Sequence, residues 1–215
     1  MKSAPYLLVF LCMVFQISVK SQEDWVLRKD NDGIKVFSKK TENFKINEIK
    51  VESIFDGRIS QLAAVLLDVN NHRQWVYRSA SSQLLKMLTP ASLLYYSETD
   101  CPWPFENRDL VMQLAITQNA ENKVMMIEIK NVDGYLPDKK NLVRIKYLRT
   151  TWTVTPLLNN QFKVDYRIQV DPGAGVPAWL LNIFAINGPY DTFVNLKKEI
   201  KLPQYAEATF PFLID

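Results

Sequence analysis

The stretch PAWLLNIFAINGPYDTFVNLKKEIK, residues 177–201, decides how the rest of the chain is read. It predicts a long helix: Pro177 suits a first helical position and Pro203 marks the stop just beyond its end. From Trp179 to Ile186 it is apolar nearly all round. A surface helix carries one apolar stripe, whereas a helix apolar on several sides must cover something on several sides. Gly188-Pro189 predicts an interruption, because Pro189 cannot donate to the carbonyl four residues back and its ring crowds the preceding turn. Beyond it Phe193, Val194, Leu196 and Ile200 stand against Asn195, Lys197, Lys198 and Glu199, an amphipathic pattern. The reading is a kinked lid laid across a sheet, with an ordinary kinked core helix as the alternative.

Upstream, the chain supplies that sheet. Glu23 to Lys29 reads as a short helix stopped by Asp30-Asn31-Asp32-Gly33, then Ile34 to Phe37 and Phe44 to Ile54 read as strands. Ile59, Leu62, Ala63, Leu66 and Val69 recur at helical spacing, with Asp56 as a candidate cap, and a short helical turn from His72 to Tyr77 presents Trp75. Strands follow at Leu84 to Leu88, Leu93 to Glu98, Asp109 to Thr117 and Lys123 to Lys130. Val143, Ile145 and Tyr147 alternate in one phase and Trp152 and Val154 in the other, so a bulge or turn is expected at Leu148 to Thr150. The cleanest alternation is Phe162, Val164, Tyr166, Ile168 and Val170. Strands segregated from helices imply α+β, an antiparallel sheet curled around one long helix with room between them.

At 215 residues, one domain with a sizeable core is expected. Lys2, the apolar run Tyr6 to Phe15, and Val19 and Ser21 at the cleavage end have the form of a secretory signal peptide over 1–21, with an uncleaved anchor as the alternative. The mature protein, 22–215, is then periplasmic or secreted. Losing Lys2 and Lys20 lowers the formal charge from +3 to +1, which removes the case for nucleic acid as a partner. Of the two cysteines only Cys101 would survive, so stability has to come from packing rather than a disulfide.

Several segments together resemble the START (steroidogenic acute regulatory protein-related lipid transfer) domain. They are Trp25 with Asp32 to Val36, the Trp75 turn, Trp103-Pro104-Phe105-Glu106-Asn107-Arg108-Asp109-Leu110-Val111, Leu136-Pro137 with Val143-Arg144, Trp152 to Pro156, and Asp171 to Pro177. The resemblance covers nearly all of the mature chain and implies a helix-grip fold with a tunnel for one lipid or sterol. It departs from cholesterol-type members, where an arginine is expected six residues after Arg108: here stands Leu114, with its partner position near Tyr95. Sterol specificity is therefore not carried over, and the hydroxyls of Tyr95 or Tyr166 are expected as polar tips in an apolar wall. The candidate wall comprises Trp75, Tyr95, Met112, Leu114, Met125, Ile127, Val164, Tyr166 and Ile168 from the sheet side. Leu180, Ile183, Phe184 and Asn187, at helical spacing, complete it.

Catalytic signals are sparse. His72, the only histidine, reads as a solvated residue at a helix start, and Cys101, with Pro102 and Pro104 nearby, as buried or inert. Hydrolase, zinc and phosphate-loop motifs are absent from the sequence, so no catalytic residue, metal or cofactor is expected. Arg108-Asp109 reads as a strand-end or turn ion pair, or else as a headgroup contact. Two functions remain: a monomeric, non-catalytic carrier of a lipid or other hydrophobic molecule, touching membranes transiently, and a polyketide cyclase-like enzyme that folds a substrate in the same cavity.

Overall fold

Alternating apolar residues and short polar turns build the sheet strand by strand. In the computed structural model residues 25–41, 47–173, 175 and 177–215 are described, with the backbone alone at 178–180, 182 and 183. β1 (Val26–Asn31) and β2 (Ile34–Lys39) form a hairpin whose turn residues, Asp32 and Gly33, both sit at positive φ, 52° and 69°. That is the backbone a tight, right-twisted hairpin needs. β3 (Glu48–Asp56) follows, then α1 (Ile59–Leu67), a 3-10 turn at Val69–Asn71 and α2 (His72–Trp75). The strands resume with β4 (Ser79–Thr89), β5 (Ser92–Thr99), β6 (Asn107–Gln118), β7 (Met125–Asn131), β8 (Leu142–Arg144), β9 (Tyr147–Leu157) and β10 (Gln161–Asp171). α3 (Ala178–Glu199) and α4 (Pro203–Ala206) close the chain. The sheet runs β1-β2-β3-β10-β9-β7-β6-β5-β4, with β8 beside β6. A curved antiparallel sheet carrying a long C-terminal helix is the expected α+β arrangement.

Several local expectations are corrected. Glu23 and Asp24 lie outside the described residues, and the rest of the supposed first helix is strand β1, because Val26 to Asn31 pairs with β2. Of the Phe44 to Ile54 strand, 44–46 lie outside the described residues. The phase break falls at Ile145 and Lys146, not at Leu148 to Thr150: β8 ends at Arg144 and pairs with β6 in parallel, then β9 starts afresh at Tyr147. Tyr147 consequently faces the other way from Ile145 and bonds Gln169 on the outer face, 3.1 Å away. α1 is capped at Arg58 rather than Asp56, its backbone N–H donating to Gln61 Oε1 at 2.8 Å. The signal segment 1–21 lies wholly outside the described residues.

Gly188-Pro189 does not interrupt α3, which runs through Pro189 as one helix. Gly188 has a packing reason instead: a Cβ there would stand 3.3 Å from Tyr77 Cδ1. The C-terminal half of α3 is fastened to the first hairpin. Tyr190 donates to Asp32 at 2.7 Å and accepts from Asn31 at 2.9 Å, and Lys197 donates to the Asp32 carbonyl at 3.1 Å. Phe193 joins the core by stacking on Trp152, with centroids 5.5 Å apart at 10°.

Candidate functional site

Between sheet and α3 lies a cavity of about 330 Å³. Its boundary follows the register across the sheet. Val164 and Tyr166 on β10 pair with Val154 and Trp152 on β9, which pair with Met125 and Ile127 on β7. Ile129 opposes Leu114 on β6, and Tyr95 on β5 opposes Met112. Tyr166, Trp152, Ile129, Met112 and Tyr95 line the cavity, while Val164, Val154, Ile127, Leu114 and Leu93 form the next layer down and are close-packed.

The structure therefore divides the expected wall. Trp75, Tyr95, Met112, Tyr166, Ile168 and Phe184 meet at the cavity. Leu114, Met125, Ile127 and Val164 share the correct face of the sheet but sit in the solid core, at most 1% exposed, in the same cluster as the buried face of α1. Asn187 is half-buried outside the lining; the side chains of Leu180 and Ile183 lie outside the described residues. The cavity-facing stripe of α3 is Leu181, Phe184, Ala185, Gly188, Pro189, Thr192 and Phe193, a helical repeat anchored by the burial of Phe193. Trp152 and Ile129 escaped the sequence reading although a signal existed. The Asn159-Asn160 turn, both residues at positive φ, sets the β9–β10 register and places Trp152 opposite Tyr166.

His72 corrects the surface reading. It is 5% exposed and lines the cavity, its Nε2 lying 3.0 Å from the Leu66 carbonyl. Edge contacts to Trp75 and Tyr95 hold the ring, with centroids 4.9 and 5.5 Å away. Burial lowers its pKa from 6.5 to about 4, against smaller opposing effects of the Leu66 carbonyl and Asp68. No local pattern signals this, because what buries His72 is tertiary packing, with Tyr95 of β5 set against its ring.

Arg108 and Asp109 do not pair with each other. Successive strand residues point to opposite faces, so the buried Arg108 lines the cavity and donates to the Glu106 carbonyl, while Asp109 faces β8. There Arg144 grips the Asp109 carboxylate with two hydrogen bonds, 2.8 and 3.0 Å. Burial works against the Asp109 charge, but the Arg144 bonds and charge outweigh it and hold the carboxyl below its usual range. Cys101 is half-buried in the cavity wall and forms no disulfide.

A curved sheet packed against one long helix, with an apolar cavity between them, defines the class: a helix-grip protein. The chain belongs to the START domain family, whose model matches residues 13–201. The STAR-related lipid transfer protein of Xanthomonas axonopodis, solved as a fragment, superposes with a TM-score of 0.76 at 31% identity, covering 83% of this chain and 99% of that one. An uncharacterized protein of Pseudomonas aeruginosa is 29% identical over 175 residues, 81% of this chain and 86% of its own length. Phosphatidylcholine transfer protein of Rattus norvegicus is 24% identical over 181 residues, 82% of this chain and 84% of its own length. An aromatase/cyclase from Streptomyces shares the fold alone, with a TM-score of 0.51 at 10% identity over 72% of this chain and 93% of that one.

Proposed function

We propose that the protein binds a lipid or other hydrophobic small molecule in the cavity and carries it between hydrophobic environments without altering it. The observation that carries this reading is the cavity wall. It is built mainly of apolar and aromatic side chains, and no carboxylate lines it among the described residues. Burying an alkyl chain there is favourable by about 0.8 kcal/mol per methylene. The lipid transfer proteins among its relatives support the same reading. Cyclase-like catalysis would need a base poised near the working pH, whereas burial holds the pKa of His72, the one histidine in the wall, down at about 4.

Native mass spectrometry of the purified protein is expected to show a bound lipid-sized mass that organic extraction removes. Turnover of a polyketide-like substrate would overturn the carrier reading. Phe184→Asp is expected to abolish retention of that mass while leaving the fold intact. Phe184 lines the cavity and touches Tyr77 edge-on, with centroids 6.1 Å apart, but is not part of the packed core. A desolvated carboxylate in that wall costs several kcal/mol against an apolar ligand. Unfolding of delipidated Phe184→Asp would instead make Phe184 a core residue.

We also propose export through residues 1–21, giving a monomeric mature protein that begins near Gln22. N-terminal sequencing that finds Met1 retained would overturn it. Transient membrane contact fits Trp103, which is 92% exposed two residues from the cavity-lining Cys101, since tryptophan favours the membrane–water boundary.

A further inference from the structure

The register along β5 gives the cavity two chemically different ends. Tyr95, opposite Met112, marks the inner layer, and Thr99, opposite Arg108, the outer one. Four residue steps along the strand separate them, about 13 Å at the usual rise. At the inner end the hydroxyls of Tyr95 and Tyr166 have burial as the main influence on them and no hydrogen bond that shifts them. The Thr150 hydroxyl and the indole N–H groups of Trp75 and Trp152 also lack a hydrogen-bond partner, but each is covered by the wall and out of a ligand's reach. The Tyr95 and Tyr166 hydroxyls can each donate. Leaving buried polar groups unpaired is costly, and an acceptor oxygen on the ligand would satisfy these two.

The charge pattern excludes one kind of headgroup. Among the described lining residues Arg108 is the only formally charged side chain. Carried to the inner end, a phosphocholine zwitterion would meet a neutral, desolvated wall, with no cation there for its phosphate and no carboxylate for its ammonium. Aromatic faces can hold such a cation, but Trp152 stacks on Phe193, and Tyr166 packs against Trp152 at 4.6 Å, so these three are taken up with one another. The volume, about 330 Å³, is at the small end of the roughly 300–1,000 Å³ typical of small-ligand pockets.

We propose that the cavity takes a compact lipid whose inserted end presents an uncharged acceptor oxygen to Tyr95 and Tyr166, and that it rejects a choline-type headgroup. This rests on the lipid-binding reading above and narrows it to a ligand class other than the one named in the phosphatidylcholine transfer relatives. Burial keeps both phenols protonated and His72 neutral, so the inner end offers donors and no charge.

The test compares monopalmitoylglycerol with palmitoyl lysophosphatidylcholine, which share one acyl chain and differ by the phosphocholine. Each is titrated, below its micellar concentration, into delipidated full-length protein and read by tryptophan fluorescence. Monopalmitoylglycerol is expected to bind at least about tenfold tighter, as for one or two hydrogen bonds gained. Tyr95→Phe with Tyr166→Phe should remove that gain, and hexadecane titrated into the unsubstituted protein reports the binding of an alkyl chain alone. Equal or tighter binding of the lysophospholipid overturns the inference and leaves lipid binding standing. Failure of all three probes overturns both. Wild-type affinity for monopalmitoylglycerol in a folded double variant removes the two tyrosines from the site and overturns the inference; if that variant does not fold, the ranking on the wild-type protein decides.

Discussion

Arg144→Met is expected to lower the unfolding free energy by about 3–5 kcal/mol, the usual cost of removing one partner from a buried ion pair. The Asp109 side chain is 1% exposed and that of Arg144 10%. Removing the guanidinium leaves the carboxylate buried beside the Tyr96 hydroxyl, 3.1 Å away, whose single proton is shared with Glu98 at 2.5 Å. Arg144 also donates to the carbonyls of Leu136 and Pro137, each at 3.1 Å, so the same residue ties the loop between β7 and β8 to the sheet. Asp109→Leu combined with Arg144→Met should cost less than Arg144→Met alone, since an apolar pair leaves no uncompensated charge. Urea denaturation of the unsubstituted protein and both variants checks this. A single-variant loss below about 1 kcal/mol, the range of surface pairs, would show that the pair is solvated in solution. Amide exchange in 134–138 should quicken in Arg144→Met even where the core stays protected, because the loop carbonyls lose their donor.

The sheet was legible in the sequence because a period of two reports which face a residue takes. The alternations of β10 and the matching ones in β6 and β7 place their apolar residues on the inner face, as their spacing predicts. Depth along a strand is not encoded in that period. Val164 and Tyr166 are equivalent by pattern, yet one is core and the other cavity wall. Only the position of α1 and the aromatic stack of Phe55, Phe162 and Phe193 decides where the solid core ends. Nor does apolarity all round a helix say which stripe faces in: Leu181 and Ala185 line the cavity and Asn187 does not. The motif segment containing Arg108 and Asp109 was visible, but the partner of Asp109 comes from β8, whose parallel pairing with β6 has no local signal. His72 is the clearest case of a polar residue whose environment comes entirely from tertiary packing.

That burial makes His72 the source of the second large effect. Lowering the pH from 6.5 to about 4 is expected to remove on the order of 3 kcal/mol of stability through this one residue. In the unfolded chain the imidazole takes its proton near 6.5, whereas in the fold burial holds it neutral to about 4. Between those values the unfolded state binds more protons, so stability falls as pH falls. The contribution is complete above 6.5 and gone below about 4. The bond to the Leu66 carbonyl requires Nε2 to carry the proton of the neutral ring. A second proton would therefore go to Nδ1, on a ring packed against the edges of Trp75 and Tyr95. Asp68 is the charged neighbour that eases protonation, and its effect is smaller than that of burial. The carboxyls with lowered pKa values, Asp109 and Glu98 among them, start from 3.8 and 4.5 in the unfolded chain. Their stabilising contributions are lost mainly below the histidine window. His72→Gln keeps a donor for the Leu66 carbonyl and removes the titration, so its stability should be nearly flat from about pH 6.5 to about 4.5. Urea midpoints of both proteins across that range give the answer. A slope in His72→Gln equal to that of the unsubstituted protein would mean that His72 is solvated or already charged in the fold.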